Sequence, residues 1–133
     1  MQVIKIPYDD TIECSVHDIE NAKDLSDEEA YNVLKRIKEL ISIDTAEIVY
    51  LSTIASINPR RDFCFIVDEV GKLKDGWFNR INIRVSRFYP GTAFGDPIVG
   101  DVVFCAREWN SGFGECDLVG LSDIEIKSMM SEL

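Results

Sequence analysis

The sequence predicts an α+β fold with a largely antiparallel sheet, and three observations lead to that prediction. One strong amphipathic helix pattern follows one or two strand patterns near the start of the chain. A series of short strand patterns separated by turn residues then fills the middle, and a short helix pattern closes the chain. Elements in this order are typical of α+β folds, not of alternating βα units. At 133 residues the chain has the size of one domain, so we expect residues 1–133 to form a single domain with about five to six strands.

The first two strands are predicted from alternation. MQVIKIPY, residues 1–8, alternates apolar and polar side chains and indicates a strand. TIECSVHDIE, residues 11–20, follows the acidic turn at Asp9 and Asp10 and predicts a shorter second strand.

The main helix is predicted over residues 27–42. Ser26 and Glu29 form an S-x-x-E capping box, in which each side chain satisfies a free backbone N–H of the first turn. Because the polar face is mixed in charge, we expect this helix to pack on a sheet. Its apolar face recurs at helical spacing and contains Tyr31, Leu34, Ile37, Leu40 and Ile41.

Five further segments have strand patterns, so the seven patterns exceed the expected five to six strands by one or two, and a last helix completes the prediction. Turn-rich segments containing Gly, Pro, Asn or Asp separate the strands. A second S-x-x-E box, Ser122 to Glu125, opens a short helix over about residues 123–131. The predicted strands lie in residues 46–54, 63–70, 81–89, 97–106 and 115–121.

The net charge of −10 restricts the classes of partner. Residues 1–58 carry −7, residues 59–87 carry +3 and residues 88–133 carry −6. A negative field disfavours direct nucleic-acid binding, because phosphate contacts need Lys and Arg, and it suits a protein partner with a basic surface. The alternative is that the acidic faces serve only to keep the protein in solution.

The cysteine pattern and the start of the chain indicate the reducing cytosol. The beginning of the chain lacks the basic and then apolar pattern of a secretory signal, and no apolar run is long enough to span a membrane. The four cysteines form no C-x-x-C pair, so we expect free buried thiols and neither a metal nor a cofactor. The alternative is a zinc site that combines Cys14, His17, Cys105 and Cys116.

No catalytic motif is present in the sequence. It contains no G-x-G-x-x-G, P-loop or G-x-S-x-G pattern, and a single histidine excludes H-E-x-x-H. A Cys–His nucleophilic pair would have to use His17, and no local pattern marks an activated cysteine. We therefore expect a non-enzymatic protein, with an enzyme lacking a familiar motif as the alternative.

Three features suggest a binding site. Arg60 and Arg61 are adjacent in a predicted loop, and Trp109 lies in a predicted glycine-bearing loop, where an exposed aromatic residue can anchor a partner. A basic, aromatic cluster lies around the strand predicted over residues 81–89. On one strand face, its arginines would form a stripe for an anionic ligand; the alternative is a solvated outer face over an aromatic core. The cluster contains Trp77, Asn79, Arg80, Arg84 and Arg87.

Residues 46–131 resemble a family of uncharacterised proteins encoded by phages, plasmids and conjugative elements, known only as a domain of unknown function. The resemblance rests on motifs in a fixed order: EIVYL, FIVDEVGKLKDGWFNR, an aromatic segment ending at Tyr89, DPIVGDVVF and LSDIEIKSM. The loop WNSGFGEC, with Trp109 and Cys116, departs from the pattern. Because the family has no established activity, the resemblance supplies no catalytic residues.

The resemblance implies a mobile-element context, in which small acidic accessory proteins bind and block host factors. We therefore expect a binding protein in the bacterial cytoplasm that inhibits a host defence or nucleic-acid-binding protein through an acidic surface. The alternative function is binding of a small, nucleotide-like anion by Asn79, Arg80 and Arg84. A homodimer through a sheet edge is left open.

Overall fold

A computed structural model of the chain describes residues 1–19, 27–110 and 115–133. It confirms the α+β class: six strands form one sheet in which every strand pairing is antiparallel. The strands are β1 (Gln2–Ile6), β2 (Ser15–Asp18), β3 (Ala46–Ile54), β4 (Asn58–Asp68), β5 (Val102–Asn110) and β6 (Glu115–Val119). The helices are α1 (Asp27–Leu40), α2 (Ile83–Ser86) and α3 (Asp123–Glu132).

Strand β5 is the centre of the sheet. The strand order is β2-β1-β5-β4-β3, and β6 also pairs with β5. Strand β1 pairs with residues 102–104 of β5 and β6 pairs with residues 106–110, so both lie along the edge of β5 that faces away from β4. The Leu121 N–H donates to the Gln2 carbonyl at 2.8 Å, which places the end of β6 beside the start of β1. Strands β2 and β3 are therefore the outermost strands of the order.

Both faces of the central sheet are covered. One face carries Phe63, Phe65 and Phe104, packed under α2, α3 and neighbouring segments. The other face carries residues such as Cys64 and Cys105, and it is covered by α1 through a buried set that consists of Val33, Ile37 and Ile41. Because side chains alternate between two covered faces, residues 63–68 and 102–106 are buried without interruption. This double coverage explains why both segments are apolar runs in the sequence.

Both predicted helices are confirmed. Helix α1 lies within the predicted residues 27–42 and packs on the sheet as expected, and its buried face also includes Val33, which the predicted apolar face does not contain. The capping box at Ser26 lies outside the described residues. At α3 the capping box is complete: the Glu125 N–H donates to Ser122 Oγ at 3.2 Å, and the Ser122 N–H donates to Glu125 Oε1 at 2.8 Å.

The strand predicted over residues 81–89 is wrong. This segment contains α2, and Ile81 makes only an isolated bridge with Val99. Asn82 is fully buried and donates its amide to the carbonyls of Ile6 and Gly100, at 2.9 and 3.0 Å. These hydrogen bonds fix Asn82 between the end of β1 and the loop at Gly100, and α2 begins at the next residue.

Several strand boundaries also differ from prediction. The strand predicted over residues 97–106 begins only at Val102, and before it Val99 forms an isolated bridge with Ile81. Arg60 and Arg61 lie in β4, because this strand begins at Asn58 in the predicted turn. Trp109 lies in β5, which continues to Asn110 to pair with β6. Among the described residues, no helix is long and apolar enough to cross a membrane.

Candidate functional site

The predicted arginine residues separate into structural and exposed positions. Arg61 is structural: its Nη1 donates to Glu125 Oε1 at 2.6 Å, and its Nη2 donates to the Gly120 carbonyl at 2.9 Å. The Glu125 side chain is only 3% exposed, and Asn58 Nδ2 donates to its second oxygen at 3.1 Å. Arg61 therefore neutralises a buried carboxylate and fixes α3 on the sheet.

Arg84 and Arg80 hold the segment that follows β1. Arg84 Nη2 donates to the carbonyls of Pro7 and Asp9, at 2.6 and 2.9 Å. The Arg80 guanidinium lies over the Tyr8 ring, 5.2 Å from its centroid. The predicted stripe across one strand face is therefore wrong, because Arg84 lies in α2 and both guanidinium groups contact the chain itself.

The rest of this cluster is also distributed among local contacts. Arg87 donates to the Glu132 carbonyl and lies over the Phe88 ring at 4.5 Å. Trp77 packs edge-on against Phe78 with ring centroids 6.1 Å apart. Asn79 is exposed at the end of a short 3₁₀ helix, Trp77–Asn79, and does not begin a strand. The structure does not assemble the cluster into one pocket among those found in the described residues.

Arg60 and Trp109, the two predicted residues not yet described, lie with Arg61 at one end of the sheet. A shallow depression there is lined by Arg60, Arg61 and Trp109, together with other residues of β4 and β5. Trp109 is 65% exposed and Tyr50 of β3 is 56% exposed. The Arg107 guanidinium lies 4.5 Å from the Tyr50 ring centroid. We call Tyr50, Arg107 and Trp109 the aromatic strip; it lies on the α1 face of the sheet, beyond the part that α1 covers.

A cavity of about 120 Å³ lies on the other face of the sheet, against β3 and β4. Its apolar lining comes from Val49 and Val67 of the sheet and from Ile98 and Val99. The volume is several times the roughly 30 Å³ share of one water molecule, so the cavity can accept a side chain. We call it the edge pocket; its polar lining consists of Glu47, Asp68, Glu69, Lys72, Tyr89 and Asp96.

The acidic groups of the edge pocket are only partly neutralised. Asp68 accepts from Lys74 Nζ at 2.6 Å, and Asp96 pairs with Lys72. Among the described residues, the exposed carboxylates of Glu47 and Glu69 have no hydrogen-bond or ion-pair partner. The Glu69 N–H donates to the Thr45 carbonyl at 3.1 Å, which keeps Glu69 beside the beginning of β3. The pocket rim therefore carries an excess of negative charge.

Both surfaces border the same strand. Glu47 and Val49 face the edge pocket, whereas Tyr50 belongs to the aromatic strip on the opposite face. Strand β3 is nine residues long and pairs only with β4 among the described strands. We refer to β3 with its two flanking surfaces as the β3 edge. No local motif marks Glu47, Glu69 or Tyr50, and none of them is among the residues predicted from the sequence.

The thiols do not form the zinc set that the sequence left as an alternative. Cys64 and Cys105 are fully buried partners across β4 and β5, with sulfur atoms 3.4 Å apart. A hydrogen bond to Cys64, together with burial, raises the pKa of the Cys105 thiol well above its usual value. Cys14 packs against the opposite face of the sheet from Cys105, and Cys116 has no described side chain. No group of three metal-binding side chains occurs within the described ranges.

His17 contacts a serine, not a cysteine. Its Nε2 lies 2.7 Å from Ser15 Oγ, two residues away on the same face of β2. Within the described part of the chain, no carboxylate is found to hold the other ring nitrogen, as a nucleophile–base–acid set requires.

The comparisons with known proteins define the fold only. No family model and no curated protein matches the chain. A solved structure, the crystal structure of small RNA methyltransferase HEN1, is similar with a TM-score of 0.63 and 15% sequence identity. The alignment covers 96% of this chain and 15% of that chain, so this protein spans a small part of the HEN1 length.

Proposed function

We propose that this protein is a non-enzymatic binding protein whose partner is a protein with a basic surface. The observation that carries the proposal is the β3 edge, an outer strand beside a pocket where Glu47 and Glu69 lack partners among the described residues. An uncompensated acidic rim favours a cationic group over an anionic one. The net charge of −10 also attracts a partner with a basic surface as it approaches.

The biological setting is proposed from the resemblance over residues 46–131. We propose an accessory protein of a phage or another mobile element that acts in the bacterial cytoplasm and inhibits a host defence or nucleic-acid-binding protein. A protein that binds nucleic acid has a basic surface, which an acidic protein can cover. Neighbouring genes of phage or plasmid origin are the expected finding; a gene placed among metabolic genes in many genomes would contradict this setting.

The test of the binding proposal is capture from host lysate at low and high salt. We expect a partner that is retained at about 0.1 M salt and released at about 0.5 M, because charge attraction at a surface is screened. The double variant Glu47→Lys/Glu69→Lys should lose this partner. A matched control, Glu13→Lys/Glu39→Lys, makes the same charge change at exposed acids elsewhere and should retain it. A partner that neither salt nor the β3-edge variant releases would contradict the proposal.

The second hypothesis, binding of a nucleotide-like anion at Asn79, Arg80 and Arg84, gains no support from geometry. The Arg84 guanidinium donates to two backbone carbonyls, and that of Arg80 covers the Tyr8 ring. A thermal-shift screen with millimolar nucleotides tests it, since a bound ligand raises the melting temperature.

A further inference from the structure

We propose that the partner is bound through an extended segment that pairs, as an added strand, with the edge of β3 that no described strand occupies, and that places a lysine or arginine side chain in the edge pocket. This inference rests on the proposed function and adds a recognition mode to it. Strand addition supplies affinity through main-chain hydrogen bonds, and side-chain pockets beside the edge supply specificity.

The first support is the contrast between the two outermost strands of the order. Strand β2 has four residues, and short edge strands resist pairing with another chain. Strand β3 has nine residues, AEIVYLSTI, and contains none of the lysines or prolines that commonly protect an edge. Its pairing with β4 is regular from Ala46 to Leu51 and becomes irregular beyond Leu51. The regular part leaves an edge about six residues long for an incoming strand.

The second support is the position of the edge pocket relative to this edge. Glu47 and Val49 are on the same face of β3, and both line the pocket. An added strand would lie about 4.8 Å from β3, with alternate side chains on that face. A side chain opposite Glu47 or Val49 is therefore placed at the mouth of the pocket.

The third support is the chemistry of the pocket. Lysine and arginine combine an apolar stem with a charged head. The stem would pack against Val49 and Val67, and the head would meet the carboxylates of Glu47 and Glu69. Asp68 and Asp96 already have lysine partners. Among the described residues, the carboxylates of the pocket without a partner are therefore those of Glu47 and Glu69, where a cationic group would arrive.

The opposite face of the sheet indicates which residues should flank the basic residue in the incoming strand. Side chains that flank the basic residue point to the other face of the sheet, where Tyr50 is exposed beneath Arg107. An apolar side chain would cover the free part of the Tyr50 ring. The expected segment therefore alternates, with a basic residue between two apolar ones.

A second copy of this chain could also pair with the edge of β3, but the negative charge of the two copies disfavours this pairing. Antiparallel pairing of two β3 strands would bring two copies of the Glu47 and Glu69 pair to one interface, with no added cation. Like charges across a strand pair are destabilising. A concentration-dependent dimer that persists at low salt, and that a β3-edge variant abolishes, would favour the second copy and overturn the proposal.

The experiment is selection of a random twelve-residue peptide library on the immobilised full chain, followed by titration of the best peptide. We expect selected peptides to carry Lys or Arg between apolar residues. The variant Glu47→Lys/Glu69→Lys should weaken the best peptide at least about tenfold, as expected for loss of close charge pairs, and Glu13→Lys/Glu39→Lys should leave it unchanged. A strand hydrogen-bonds to its neighbour through every second residue. N-methylation of the peptide at the residues that face β3 should therefore abolish binding, whereas N-methylation at the residues between them should be tolerated.

The outcomes separate this inference from the proposed function. Peptides without a basic residue, peptides insensitive to N-methylation, or a selection that enriches no peptide would each overturn strand addition. If a salt-sensitive partner is nevertheless released by the β3-edge variant, the proposed function stands and only the recognition mode fails. If strand-adding basic peptides bind but no such partner exists in lysate, the recognition mode stands without the proposed setting.

Discussion

Two regions of this protein contrast in how their charged residues are used. The segment from Trp77 to Arg87 is basic and aromatic in sequence, yet Arg80, Arg84 and Arg87 each contact the chain itself. The β3 edge is unremarkable in sequence, yet Glu47 and Glu69 have no side-chain partner within the described ranges. The arginines that cluster in the sequence therefore stabilise the fold. The charged side chains left for a partner, Glu47 and Glu69, lie where segments from different parts of the chain meet.

The adjacent pair Arg60 and Arg61 shows the same contrast within one strand. Side chains alternate between the faces of a sheet, so neighbours in sequence meet different surroundings. Arg61 meets Glu125 of α3, whereas Arg60 is exposed, and no side-chain partner for it is found in the described part of the chain. The pair provides a matched test of which arginines are structural.

The largest effect is expected from Arg61→Ala. The substitution leaves the Glu125 carboxylate, 3% exposed, without its cationic partner, and such a loss costs about 3 kcal/mol or more of the free energy of unfolding. Arg60→Ala should change it by less than about 0.5 kcal/mol, as exposed substitutions do. Urea denaturation measures both values. Similar losses for the two variants would contradict the distinction between them.

A smaller loss is expected from Arg84→Met, which keeps most of the side-chain stem. The substitution removes the hydrogen bonds that one charged nitrogen, Nη2, donates to the carbonyls of Pro7 and Asp9, and hydrogen bonding by a charged group contributes about 1.5–3 kcal/mol. We expect a loss of about 2 kcal/mol in urea denaturation and faster amide exchange after β1. Unchanged stability, combined with loss of nucleotide binding in the thermal-shift screen, would instead make Arg84 a ligand residue.

The thiols should separate into two reactivity classes in a Cys116→Ser background. Cys14 is half-buried and should react with a thiol reagent in the native protein, whereas Cys64 and Cys105 should react only on unfolding. The raised pKa of Cys105 also favours its protonated form in the folded state. The stability from this thiol is therefore fully present below its ordinary pKa near 9.0 and is lost as the pH rises above that value. Simultaneous reaction of all three thiols at neutral pH would contradict this packing.

The smallest effect on stability is expected at the β3 edge. Glu47→Gln and Glu69→Gln change exposed carboxylates without partners among the described residues, so each should alter the free energy of unfolding by less than about 0.5 kcal/mol. Slight stabilisation is expected because like charges are removed. A loss above about 1 kcal/mol for either variant would show that the carboxylate has a structural role, and the contrast between the two regions would then fail.

Much of the fold could be predicted from local patterns. The capping box at Ser122, the helical spacing in α1 and the apolar runs of β4 and β5 each depend on residues close in sequence. The strand predicted over residues 81–89 failed because the alternation there is overridden by Asn82, whose amide bonds Ile6 and Gly100 from distant parts of the chain. Ile83, an apolar residue of this alternating segment, is 71% exposed.

The candidate site could be predicted only in part. Arg60, Arg61 and Trp109 were identified and do line one depression. The β3 edge was missed because it depends on strand order: β3 is outermost only because β4 lies between it and β5. The edge pocket likewise combines residues from β3, β4 and the segment after Tyr89, and no spacing rule brings those segments together.

The most direct test of the account is amide hydrogen exchange of the full chain with and without the tightest selected peptide. If the β3 edge is the binding surface, exchange of alternate amides in residues 46–51 should slow markedly on binding, because the incoming strand supplies acceptors for them. Exchange in residues 79–87 should remain unchanged. Protection confined to residues 79–87, with no change in β3, would contradict the central claim and return the binding site to the arginine-rich segment.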